Sequence, residues 1–130
     1  MGFLAVIAAA AAGFVVGAVW YMTLAEPWMT AAGIKRRPDG KPESNSPLPF
    51  VLAGIAMVLV AGMMRHTFAL SGIDSAGAGL VSGLGIGLFF ISPWIMINNA
   101  YAGRPFRLTL IDGGYATIGC AVIGLVLTLF

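Results

Sequence analysis

Charge is scarce in this sequence: seven Lys and Arg and five Asp and Glu make up 9% of 130 residues, where a soluble domain carries about 25%. With 59% hydrophobic residues and a mean hydropathy of +0.95, the chain cannot dress an ordinary soluble surface. There is one cysteine, Cys120, which excludes an intramolecular disulfide and reads as a structural thiol inside an apolar run. There is one histidine, His66, so a histidine metal cluster cannot be built in one chain. A net charge of +2 divided between two short loops makes no basic stripe, and nucleic-acid binding has no support. A glycine-rich phosphate loop, a metal-ligand cluster and paired carboxylates at catalytic separation are also missing. We therefore expect no catalytic residues, no metal, no cofactor and no enzyme activity.

What is present is four long apolar runs, at about 3–24, 48–70, 77–101 and 106–129. Each has the roughly 20 residues that a helix needs to cross a hydrocarbon core. None alternates apolar with polar residues as a barrel strand does. The sequence thus predicts an all-α integral membrane protein, residues 1–130 forming a single four-helix transmembrane domain of up-and-down topology with a loop at about 25–47. The first run is followed, not preceded, by its basic residues, since no Lys or Arg comes before Lys35; it reads as a retained helix rather than a signal peptide.

Basic residues set orientation. Lys35, Arg36, Arg37 and Lys41 lie in the first loop, and Arg104 and Arg107 in the joint between runs three and four. Both joints share one face, which we expect to be cytoplasmic, with both termini periplasmic. The loop "KRRPDGKPESNSPLP" (35–49) has four prolines and few apolar side chains, so an extended, mobile connection is expected. Its "KRR" can touch anionic headgroups or serve only as a topology determinant.

Association inside a membrane depends on close backbone approach. Small residues recur every fourth position at Ala5, Ala9, Gly13 and Gly17, at Gly79, Gly83 and Gly87, and at Ala116, Cys120 and Gly124, with a sparser set at Gly54 and Gly62. Spacing of four places each set on one helix face. These seams can pack the bundle internally or face a second copy or another membrane protein. Trp20, Tyr21, Trp28 and Tyr101 flank the loop-side ends of the runs and read as interface anchors at headgroup depth.

The polar residues within the runs are few. Arg65 and His66 lie near the end of run two, where Arg can snorkel, and Asp74 is placed to pair with Arg65. Asp112 shares a stripe with Ala116, Cys120 and Gly124, so it points into the bundle, where a carboxylate needs a hydrogen-bond partner. Asn98, Asn99, Arg104 and Arg107 are the nearest in sequence, and Tyr115 lies one turn along. Pro93 removes the backbone bond to the Phe89 carbonyl, so a kink in helix three is expected there. Gly103 and Pro105 shape a tight hairpin between runs three and four.

The stretches "GAVWYMTLAEPWM" (17–29) and "GRPFRLTLIDGGY" (103–115), in this four-run order, resemble the bacterial membrane family catalogued as domain of unknown function 1761. The resemblance covers nearly the whole chain. Family members often have a histidine after the last Gly-Tyr, where this chain has Ala116. The resemblance implies a small integral membrane protein with no assigned activity, and we expect it in the bacterial inner membrane. Two functions are compatible with the residues: association through the seams, as a homo-oligomer or an accessory subunit of a larger complex, or a small transporter or channel with a polar site around Asp112.

Overall fold

The apolar runs become helical spans joined end to end. The computed structural model describes residues 2–130. Span one is α1 (Gly2–Thr23), and α2 (Ala25–Ala32) follows it directly. Span two is α3 (Leu48–Ser71). Span three is α4 (Ala76–Gly85), a π-helical segment (Ile86–Ile91) and α5 (Ser92–Tyr101) in unbroken succession, and span four is α6 (Phe106–Leu127). At 22 to 26 residues, with mean hydropathies of 1.8 to 2.3, each is about 33 Å or more long at 1.5 Å per residue and can cross a bilayer.

Local chemistry sets the ends. Gly72 at φ 70° closes α3 with its N–H on the Phe68 carbonyl, a left-handed cap that favours glycine. Ser75 opens α4 by accepting from the Ala78 N–H at 3.2 Å, as N-cap serines do. Gly103, also at φ 70°, and extended Pro105 turn the chain from α5 into α6.

The helices do not form a closed ring. Helix α6 is the centre: it packs on α1, on the whole third span and, through fewer residues, on α3. Helices α1 and α3 pack on each other, whereas α3 has no comparable packing on the third span among the described residues. The core is therefore a three-helix unit with the third span attached to the outer side of α6. Ala9 and Ala61 are 0% exposed and Ile123 1%, with Met64, Phe68, Cys120 and Leu127 around them.

The seams are consumed within this chain. A Cβ at Gly79 would strike the Gly124 carbonyl, at Gly83 the Cys120 carbonyl, and at Gly87 the Ala116 carbonyl. Each pairing is backbone against backbone, the close approach that small residues permit. Gly13 faces Ile123 and Met57, and Gly17 faces the Tyr115 ring. The sparse set on α3 is looser: Gly54 has nothing within 4 Å, and Gly62 meets only the Val6 side chain at 4.0 Å.

One local expectation is corrected and another is given its form. The loop placed at about 25–47 begins with a helix, α2. Pro27, in the first turn of α2, has φ suited to a helix start; Met29 and Ala31 are buried, and Gly33 at φ 70° ends the helix. After it, Arg36 and Pro42 form an isolated antiparallel bridge around Gly40 at φ 83°. The Arg36 guanidinium donates to Glu26 Oε2 at 2.7 Å and to Thr30 Oγ1 at 2.9 Å, holding the loop against α2. Local hydrogen bonds thus order a segment that has too little apolar area to fold by burial.

The expectation given its form is the irregularity at Pro93. The irregularity there takes the form of one widened, π-helical stretch at Ile86–Ile91, just before the proline. Pro93 supplies no N–H and its ring crowds the carbonyl one turn back, and a π segment is one way a helix absorbs this. Ser92 compensates: its Oγ lies 2.7 Å from the Gly87 carbonyl and 3.0 Å from the Gly113 carbonyl, tying the widened turn to α6.

Candidate functional site

The loop-side half of the bundle holds the polar side chains. Asp112 stands in the second turn of α6, about 9 Å along the axis from Phe106 at 1.5 Å per residue. Its partner comes from α1. The Tyr21 hydroxyl donates to Asp112 Oδ1 at 2.6 Å. On the neighbouring face the Trp20 indole N–H donates to the Ile111 carbonyl at 2.8 Å. Adjacent residues of α1 therefore grip adjacent residues of α6, one by a side chain and one by the backbone.

An aromatic cluster surrounds this contact. The Tyr21 ring meets Trp28 of α2 edge-on at 5.7 Å between centroids and 72°, and Tyr115 at 5.5 Å and 79°. Such T-shaped pairs add about 0.5–1.5 kcal/mol each beyond their buried area. The Tyr115 hydroxyl donates to the Gly13 carbonyl at 2.9 Å and lies 3.4 Å from the Met57 sulfur, so α1, α3 and α6 meet at this one side chain. Helix α2 covers the cluster from the loop side.

The other expected members are arranged differently. Asn99 donates to Thr109 Oγ1 at 3.2 Å, joining α5 to α6, but Asn98 is exposed and its side chain stays outside the network. Arg104 lies against Gly33, and Arg107 is exposed; neither forms an ion pair with Asp112 among the described residues, whose only salt bridges are Arg36 with Glu26 and Arg37 with Asp39. The reason is rotational. An apolar stripe is broad, and Asp112 occupies its α1 edge while Ala116, Cys120 and Gly124 occupy the edge facing the third span. Arg65 and Asp74 do not pair either; the Arg65 guanidinium rests against Gly2, and both side chains line a shallow recess with Phe68, Ile73 and Leu127 at the opposite end.

Of the aromatics read as interface anchors, Tyr101 is 91% exposed beside the hairpin. Trp20, Tyr21 and Trp28 are half-buried; Trp20 and Tyr21 hydrogen-bond to α6, and Trp28 packs edge-on against Tyr21. The hold of Tyr21 on Asp112 was not legible from headgroup-depth placement alone. The signal available was Gly17, one turn before Tyr21, which admits the Tyr115 ring to α1.

Chemically, the site offers one carboxylate oxygen engaged by a phenol and a second oxygen with no hydrogen-bond donor from the described residues, inside a wall of aromatic rings. Such a group can hold a proton or accept a bond from a cationic or N–H-bearing partner. No group of three or more His, Cys, Asp or Glu side chains gathers among the described residues to hold a metal ion.

Four apolar spans with an acid and aromatic cluster at one end define a multi-pass membrane protein. The chain belongs to the family described as protein of unknown function (DUF1761), whose model matches residues 4–128. No curated protein and no solved structure matches the chain.

Proposed function

We propose that this is a non-enzymatic membrane protein that works by association, as a homo-oligomer or as an accessory subunit of a larger inner-membrane complex. The observation that carries the reading is the third span. Only Gly79, Gly83 and Gly87 are buried in it, so the glycine seam holds the span to α6 while the bulky side chains point away. Leu84, Phe90 and Trp94, at 38%, 68% and 67% exposed, form an outer surface of a helix that is otherwise committed to one neighbour. The seams themselves no longer speak for self-association, because they are filled from within. The orientation we adopt, with basic joints cytoplasmic and both termini periplasmic, rests on the basic residues of the two joints.

Extraction into a mild detergent followed by native mass spectrometry tests this. The expected result is a homo-oligomer or a stoichiometric complex, and its weakening in Phe90→Ala with the monomer's melting temperature unchanged. A strictly monomeric protein that co-purifies with nothing would sink the reading.

A transport reading has one observation in its favour, the Asp112 carboxylate held within a span by Tyr21. In proteoliposomes, Asp112→Asn would then abolish proton or cation flux while preserving the fold. Flux unchanged by that substitution, or no flux in the parent, removes it.

A further inference from the structure

A groove of about 530 Å³ opens on the side of α6 away from Asp112, between Trp20 of α1 and the proline-bearing junction of the third span. Leu88, Pro93, Met96, Leu110 and Ile118 form its walls with Trp20, and Gly113 and Gly114 form part of its floor. The size falls within the roughly 300–1,000 Å³ of small-molecule clefts. It lies along a membrane-spanning surface, so what reaches it is what the bilayer contains.

The polar atoms in the groove already have partners. Ser92 Oγ is taken by the Gly87 and Gly113 carbonyls, Thr117 Oγ1 donates to the Gly113 carbonyl at 2.8 Å, Thr109 accepts from Asn99, and the Trp20 N–H is on Ile111. A polar solute finds little to bind, whereas a hydrocarbon chain fits a wall of satisfied groups.

The charge at the groove's loop-side end names the rest of the molecule. Arg107, Leu110, Gly114 and Ile118 follow one another at three- and four-residue spacing along one face of α6, and the last three line the groove. Helical side chains lean toward the N-terminus, so Arg107 extends from the groove toward headgroup depth. Arg36 and Arg37 are neutralised by Glu26 and Asp39, while Arg107 is exposed and has no acidic partner among the described residues.

We propose that this groove is a specific site for an anionic phospholipid, one acyl chain lying against Trp20 and Leu110 and the phosphate on Arg107. Trp20 can report it. In a Trp28→Phe/Trp94→Phe protein, reconstituted in phosphatidylcholine vesicles, Trp20 is the remaining tryptophan. A minor fraction of brominated phosphatidylglycerol is expected to quench Trp20 about fivefold more effectively than the same fraction of brominated phosphatidylcholine, the ratio expected of one basic residue at a surface phosphate. The preference should vanish in Arg107→Gln and fall in the groove-filling Leu88→Phe. Equal quenching by the two lipids in the parent overturns the site, as does a preference that survives Arg107→Gln. A preference unaffected by Leu88→Phe means that charge alone holds the lipid and overturns the groove. Native mass spectrometry of the unsubstituted chain from mixed-lipid nanodiscs gives a second reading: retained phosphatidylglycerol, lost in Arg107→Gln, supports the site, and no retained anionic lipid contradicts it.

Discussion

Replacing Gly83 by alanine lowers the stability of this protein, whereas replacing Gly54 by alanine raises it. The same methyl group meets opposite surroundings. At Gly83 the new Cβ lands on the Cys120 carbonyl and 2.8 Å from its carbon, backbone atoms of α6 that cannot swing aside. The third span must move outward, and its close contact with α6 at Gly79 and Gly87 loosens with it. Overpacking of this kind costs about 1–3 kcal/mol, occasionally more. At Gly54 nothing lies within 4 Å, so alanine brings only its better helix propensity, a gain of about 0.5–1 kcal/mol. Thermal unfolding in detergent, or denaturation in a titration of sodium dodecyl sulfate, reads both signs on one protein. Equal shifts at the two positions would show that the third span is not seated on its glycines.

Tyr21→Phe is expected to be the most damaging conservative change at the loop-side end. It deletes one oxygen, and with it the 2.6 Å bond to Asp112. A half-buried carboxyl then loses its only described donor. Loss of a hydrogen bond to a charged group costs about 1.5–3 kcal/mol, and to a neutral one about 0.5–1.5 kcal/mol. Asp112→Asn keeps an oxygen where the phenol points and should cost less than Tyr21→Phe. A double-mutant cycle of Tyr21→Phe with Asp112→Ala should show a coupling of at least about 0.5 kcal/mol, in the range found for residues in direct contact. Additive effects would mean that the pair contributes nothing as a pair, and that the aromatic packing around it holds the helices.

These two predictions draw on different kinds of information. The glycine contact was partly legible. Spacing of four placed Gly79, Gly83 and Gly87 on one face and Ala116, Cys120 and Gly124 on another, and small-residue faces seek close neighbours. Whether those neighbours belonged to this chain or to another was open, because the pattern on one helix says nothing about which helix answers it. The partner of Asp112 was not legible. Asn99, Arg104 and Tyr115 are near it in sequence, yet Tyr21, 91 positions away, makes the bond.

The short helix α2 and the π-helical stretch are intermediate cases. Both carry local signals: Pro27 with Gly33 as start and stop, and Pro93 as a breaker. The eight residues of α2 are too few for hydrophobic periodicity to stand out, and alone they would scarcely be helical in water. The burial of Met29 and Ala31 against the bundle makes the segment a helix. Similarly, Pro93 demands some irregularity, but the Ser92 bond across to the Gly113 carbonyl on α6 accompanies the form it takes.

The sequence by itself determined that there are four spans, and where they begin and end to within two residues: 48–70 became Leu48–Ser71, and 106–129 became Phe106–Leu127. That information is local, since run length sets the capacity to cross a bilayer and Gly72, Gly103 and Pro105 interrupt the runs. Only the tertiary structure decided that α6 is central, that the buried residues of the third span are its glycines, and that Asp112 turns to α1. Those outcomes depend on how each helix is rotated against its neighbours, which is settled by the fit of whole faces and not by any one segment.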